Sequence, residues 1–123
     1  MYIVTTATVS SYVNVKPVNI AAVTGSKVTF SCSSSNHEVR VRWDYYKLTA
    51  TKSVTIWNGK TVIMQQGDPD IPLFGLNTTQ CTTSNHCDLM IEKVKTLDAG
   101  WIACSEAGSN DWSAASLTVL GLS

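Results

Sequence analysis

The chain has 123 residues, 44% of them hydrophobic, and nine basic and nine acidic side chains that cancel to a formal charge of zero. This is material for one compact domain with its own core, and the even charge balance leaves no electrostatic footprint for nucleic acid or an anionic membrane surface. No apolar run approaches the ~20 residues of a membrane helix and no charged-then-apolar leader follows Met1, while four cysteines in so short a chain suit two disulfides made in an oxidising compartment.

Taken in order, Tyr2 to Val13 is rich in Thr, Val and Ser without a helical period and reads as extended chain or an edge strand. Pro17 removes a ladder donor and belongs at an edge or a kink, after which Val18 to Val23 resumes as a short strand before the Gly25-Ser26 turn. Val28, Phe30 and Cys32 alternate with polar residues, which predicts a half-buried strand. Beyond the polar loop Ser33 to Glu38, Val39 to Tyr46 shows the strictest alternation in the chain: Val39, Val41, Trp43 and Tyr45 inward, Arg40, Arg42, Asp44 and Tyr46 outward.

Ser53 to Trp57 predicts a further strand, Asn58-Gly59 a two-residue hairpin turn, and Thr61 to Gln65 the returning strand. Gly67 to Leu73, with Pro69 and Pro72, breaks regular structure. Cys81 and Cys87 bracket a polar turn, so a bridge between them is expected to staple a hairpin. Leu89, Ile91 and Val94 mark the next buried strand, Asp98-Ala99-Gly100-Trp101-Ile102-Ala103-Cys104 another, Ser105 to Ser113 a loop with Gly108 and Asn110 at its tip, and Ala115, Leu117 and Val119 the last strand. Eight or nine strands with turn signals about every ten residues predict an all-β, two-sheet antiparallel sandwich with Greek-key connections.

Of the three pairings open to four cysteines, spacing favours Cys32 with Cys104 and Cys81 with Cys87. A zinc site would need clustered ligands, but His37 is isolated and only His86 adjoins a cysteine, so neither metal nor other cofactor is expected. Trp43, Leu89 and Ile102 are assigned to the core. With Cys104 inward, Trp101, Ala103 and Ser105 point outward on the same sheet as Arg40, Arg42, Asp44 and Tyr46. By the same parity Trp57 and Trp112 join them, giving an aromatic face with Arg and Asp between, the composition of interface hot spots. The alternative is that Trp57 is covered by its hairpin and Trp101 by the segment Tyr2 to Val13. Both histidines are placed in surface turns, and no paired carboxylates or phosphate loop point to catalysis. Asn77-Thr78-Thr79 is a glycosylation sequon.

From about Val15 to Leu120 the chain resembles a V-set immunoglobulin domain. The resemblance rests on Cys32 and Trp43, on Leu89-x-Ile91-x-x-Val94-x-x-x-Asp98-x-Gly100 before Cys104, and on Leu117-Thr118-Val119-Leu120. The last segment is similar to the joining segment of antibody light chains; Trp43-Asp44-Tyr45-Tyr46 with Val54-Thr55-Ile56-Trp57 is similar to V-type adhesion receptors such as myelin protein zero. The resemblance implies one V-set domain over residues 15–121, preceded by an extended segment 1–14 and cut from a larger ectodomain that carries any membrane segment. It also implies a secreted or cell-surface, immune-type receptor that binds a protein or glycan. Binding would use the sheet face, with homodimeric V-to-V pairing as one form, or the three end loops carrying Ser34, Asn36, His37, Asn58, Gly59, Gly108 and Asn110; homophilic adhesion is the alternative.

Three departures stand out. Ile102 replaces the tyrosine the family places two residues before the second cysteine, so packing is expected to fix that corner. Gly67 to Gln80 offers no cation to Asp98, which is expected to cap its own turn. Asp111-Trp112-Ser113-Ala114 replaces the Phe-Gly-x-Gly bulge of antigen receptors, which argues against a rearranged receptor.

Overall fold

The computed structural model describes residues 11–49, 53–63 and 71–121. Nine strands form two sheets among them. The first sheet contains β1 (Val13–Val15), β3 (Val28–Ser34), β7 (His86–Ile91) and β6 (Phe74–Leu76), in that spatial order. The second runs β2 (Ile20–Val23), β9 (Trp112–Leu120), β8 (Gly100–Glu106), β4 (Val41–Lys47) and β5 (Ser53–Trp57). Every pairing is antiparallel except β2 with β9, which is parallel. Proline explains the switch. Pro17 is buried between β1 and β2, where its missing N–H and fixed φ end one pairing and let the chain cross to the other sheet.

The all-β two-sheet sandwich is the one expected, and its core lies between the sheets. Val28, Phe30 and Cys32 of β3 face Val41, Trp43 and Tyr45 of β4, with Leu89, Ile91, Ile102 and Leu117 completing the layer. Burying each large side chain contributes roughly 1.5 to 3 kcal/mol. Both disulfides lie in this layer: Cys32–Cys104 joins the sheets beside Trp43, and Cys81–Cys87 lies next to it because Cys87 is the register partner of Cys32.

Local features differ from expectation. Cys81–Cys87 staples no hairpin: Cys81 belongs to a short helix, α1 (Thr78–Thr83), which Asn77 N-caps, and the bridge ties that helix to β7. Val39 and Arg40 precede β4 rather than opening it. The turn after β5 spans four residues, 58–61: Asn58 N–H donates to the Thr61 carbonyl, Trp57 bridges Val62, and the Asn58 side-chain oxygen accepts from the N–H groups of Lys60 and Thr61. Of the returning strand expected over Thr61 to Gln65, residues 61–63 are described and carry only the isolated bridge of Val62 to Trp57; the rest of it, most of the irregular stretch after it and most of the segment Tyr2 to Val13 lie outside the described residues.

Candidate functional site

The outward side chains of β4, β8 and β9 form three cross-strand rungs fixed by register. Tyr46, Trp101 and Ser116 make one; Asp44, Ala103 and Ala114 the next; Arg42, Ser105 and Trp112 the third. Successive outward residues lie ~7 Å apart along a strand, so the two tryptophan rungs stand ~14 Å apart. Trp101 is 46% exposed and Trp112 41%. Between them Ala103 and Ser105 are buried, giving two aromatic ridges over a small-residue floor.

The third rung is held rigid. The Arg42 guanidinium donates to both carboxylate oxygens of Asp44, Nε to Oδ2 at 2.9 Å and Nη2 to Oδ1 at 3.2 Å, and Nη2 also donates to Thr55 Oγ1 at 2.8 Å. Thr55 Oγ1 in turn donates to Asp44 Oδ1 at 2.8 Å, closing the ring of contacts. The Arg42 guanidinium carbon lies 5.4 Å from the centre of the Trp112 ring, a cation–π arrangement. Hydrogen bonding to Asp44 raises the Arg42 pKa, against the opposing effect of burial. The cation is thus permanent, and its charge is neutralised within the face.

At the opposite end a groove of about 430 Å³ flanks Trp101, lined by Leu48, Thr96, Ala99, Gly100 and the β9 segment Ser116 to Val119. Leu48 beside it is 66% exposed. Gly100 is required by close approach: a Cβ there would run into the Tyr46 carbonyl oxygen. At the other end Tyr12 and Val13 lie beside Asp111 and Trp112.

Two residues expected on this face are elsewhere. Trp57 is 1% exposed and packs in the core. Its register partner is Trp43 while Thr55 pairs with Asp44, so a bulge at Ile56 inserts one residue, breaks the two-residue period and turns both Ile56 and Trp57 inward. Arg40 is turned away to the loop end, donating to the Thr82 carbonyl at 2.8 Å and the His37 carbonyl at 3.0 Å. Ala103 and Asp44 do belong to the face, but as buried floor rather than exposed contact.

The end loops converge. Asn36, His37, Gly108 and Asn110 are exposed. Ser34 and Gly59 are buried instead. Ser34 donates its hydroxyl to the buried Glu106 carboxylate at 2.5 Å and accepts from Asn36 N–H, linking the loops after β3 and β8. Gly59, at φ +96°, lies against the Ala107 side chain, where a Cβ would come within 2.9 Å. Asn58 is half-buried and spends its side chain on its own turn.

Two groupings escaped the sequence reading. Ile102 pairs across the ladder with Tyr45, whose hydroxyl donates to the Asp98 carbonyl at 3.0 Å, so a hydrogen bond, not packing alone, ties the corner; Asp98 itself caps its turn as expected, accepting from Lys95 N–H at 2.8 Å. On the other sheet His86 lies in β7 rather than in a turn. It is bonded to Ser33 through Nδ1 and to Asp88 through Nε2 at 2.8 Å, and Ser31 donates to the same carboxylate at 2.7 Å. Burial works upward on the Asp88 pKa, but the hydrogen bonds from Ser31, His86 and Gln80 and the charge of His86 outweigh it, and the net shift is downward. Ser33 is buried in this chain of contacts, so its hydroxyl offers no open approach to a substrate.

No family model matches the chain, and no curated protein matches it. Solved structures share its fold. Titin domain I10 is 20% identical over 90% of this chain and 99% of that one, with a TM-score of 0.58. The titin fragment I67–I69 is 19% identical with a TM-score of 0.58, and the present chain spans about a third of its length. A chain from a structure of T-cell specificity and activation by toxic shock syndrome toxin-1 is 19% identical over 90% of this chain and 98% of that one, with a TM-score of 0.62. The fold is therefore immunoglobulin-like.

Proposed function

We propose that the chain is a V-type recognition domain of an extracellular receptor, and that it docks a protein partner on the outer face of β9, β8, β4 and β5. The carrying observation is the exposure of Trp101 and Trp112 on one sheet face, with Arg42 fixed between Asp44 and Trp112. Exposed aromatics beside a pre-ordered Arg lose little side-chain entropy on binding and supply hot spots. The partner class this favours is another V-type domain, its own copy included, because two such faces meet as ridges over a shallow floor. The V-type reading is supported by nine strands, the additional strand β5 and the β1-to-β2 sheet switch. Two buried disulfides support maturation in an oxidising compartment.

Sedimentation velocity of the wild type against Trp101→Ala over a wide concentration range tests this. The expected result is a concentration-dependent dimer that the substitution weakens at least tenfold, with the fold intact. Monomers throughout in both proteins would overturn self-pairing. The second reading then applies, ligand capture by the exposed loop residues Asn36, His37, Gly108 and Asn110.

A further inference from the structure

The sequon Asn77-Thr78-Thr79 lies apart from the sheet face, and its setting is specific. Asn77 is exposed and caps α1 through its side-chain oxygen, which accepts from Gln80 N–H at 3.1 Å. The cap uses only Oδ1. Replacing one Nδ2 hydrogen by carbon leaves that lone pair in place, so glycosylation and capping are chemically compatible at this residue.

Thr78 and Thr79, with Thr82, form one wall of a groove of about 340 Å³, whose other wall is Trp57, Lys60, Thr61 and Val62 of the β5 end and its turn. The volume is at the lower end of ligand-sized sites. Thr82 donates its hydroxyl to the Thr78 carbonyl at 2.7 Å and Thr83 to the Thr79 carbonyl at 2.6 Å, so these protons are committed within the helix. That wall offers acceptor oxygens and methyl groups, while Val62 and the Lys60 stem offer apolar surface and an ammonium donor. A sugar, which carries hydroxyl donors and C–H faces together, matches both walls.

We infer that Asn77 carries an N-linked glycan whose innermost N-acetylhexosamine lies in the groove between α1 and the 58–62 turn. The donor is a lipid-pyrophosphate oligosaccharide. The Nδ2–C1 bond forms as the C1–O bond to pyrophosphate breaks, the lipid pyrophosphate leaves with the electron pair, and one Nδ2 proton passes to the transferase's base. The groove shares no residue with the Tyr46, Trp101 and Trp112 face, so the glycan shields this side of the domain and leaves that face bare. The inference rests on the secretory setting proposed above, not on which surface binds the partner; mass reads one and sedimentation the other.

The test is expression of wild type, Thr79→Ala and Asn77→Asp in a eukaryotic secretory host, with intact masses before and after peptide N-glycosidase. Wild type should carry a glycan that the enzyme removes, leaving aspartate at position 77. Both variants should appear at the bare polypeptide mass, each with its cap acceptor retained. Removing the glycan should shift the Val62 methyl resonances and leave the Trp101 and Trp112 indole resonances unmoved. Wild type secreted with both disulfides but at the bare mass would overturn the modification. A glycan whose removal leaves the Val62 signals unchanged would overturn its placement in the groove.

Discussion

Tyr45 and Ile102 are register partners on adjacent strands, and between them they exchange the roles that immunoglobulin domains give to a corner tyrosine on the strand of the second cysteine. The hydroxyl arrives from β4 instead and still meets a carbonyl of the same corner, at Asp98. Tyr45→Phe should lower stability by about 1 to 2 kcal/mol, since it leaves a buried carbonyl without its donor; a urea midpoint that falls with an unchanged slope would show this. Tyr45 also sets an alkaline limit. Burial, then the charge of Asp98, raises its pKa, so the folded state holds the proton after the unfolded state releases it. The stability is therefore complete below about pH 10 and is lost as pH rises toward the folded value. Tyr45→Phe should flatten that alkaline decline. Asp88 behaves in the opposite sense. Its lowered pKa adds stability above about pH 4 that is lost as pH falls through the folded value, so the gap in urea midpoint between wild type and Asp88→Asn should close in acid.

At the scale of elements, strands were readable wherever a regular ladder keeps side chains alternating, as in Val28 to Cys32 and Val41 to Tyr46. One inserted residue defeats that reading. The bulge at Ile56 is set by the pairing of β5 with β4, a tertiary fact, and it removed Trp57 from the predicted face. Helix α1 was missed for a related reason: Thr-Thr-Gln-Cys-Thr-Thr has poor helix propensity, and the helix exists because a cap and a disulfide hold it. Asn77 followed three residues later by Gln80 resembles a capping box and was the one local signal available. The two disulfides should therefore differ in worth. In the chain-entropy model, with sequence separations of 72 and 6, removing Cys32–Cys104 costs about 4 kcal/mol and removing Cys81–Cys87 about 2. Guanidinium melts of the two double Cys→Ala variants under oxidising conditions should rank in that order, with only the second losing the order of α1. Equal losses would mean that α1 carries more of the core than its length suggests.

For the whole molecule the deciding quantity is the charge of the proposed binding face. The chain is neutral overall, and among the described residues of the three rungs the one cation, Arg42, is already paired with Asp44 beneath it. Tyr46, Trp101 and Trp112 add aromatic surface and no charge, and the groove beside Trp101 is lined by neutral residues. Association through this surface therefore has no long-range steering to lose, unlike contacts between oppositely charged patches. The affinity of the self-pair should change less than about threefold between 50 and 500 mM NaCl, because a face with its charges internally paired presents little for salt to screen. Over the same range Trp101→Ala should weaken binding by tenfold or more, as expected for a central aromatic hot spot. Trp112→Ala should cost less, because part of that ring already stacks on Arg42 within the free domain and only its outer edge is gained by a partner. Sedimentation equilibrium of the three proteins at both salt concentrations separates these effects. A steep loss of affinity with salt would place the contact on the loop end, where Glu38, Lys60 and Asp111 are exposed, and not on the sheet.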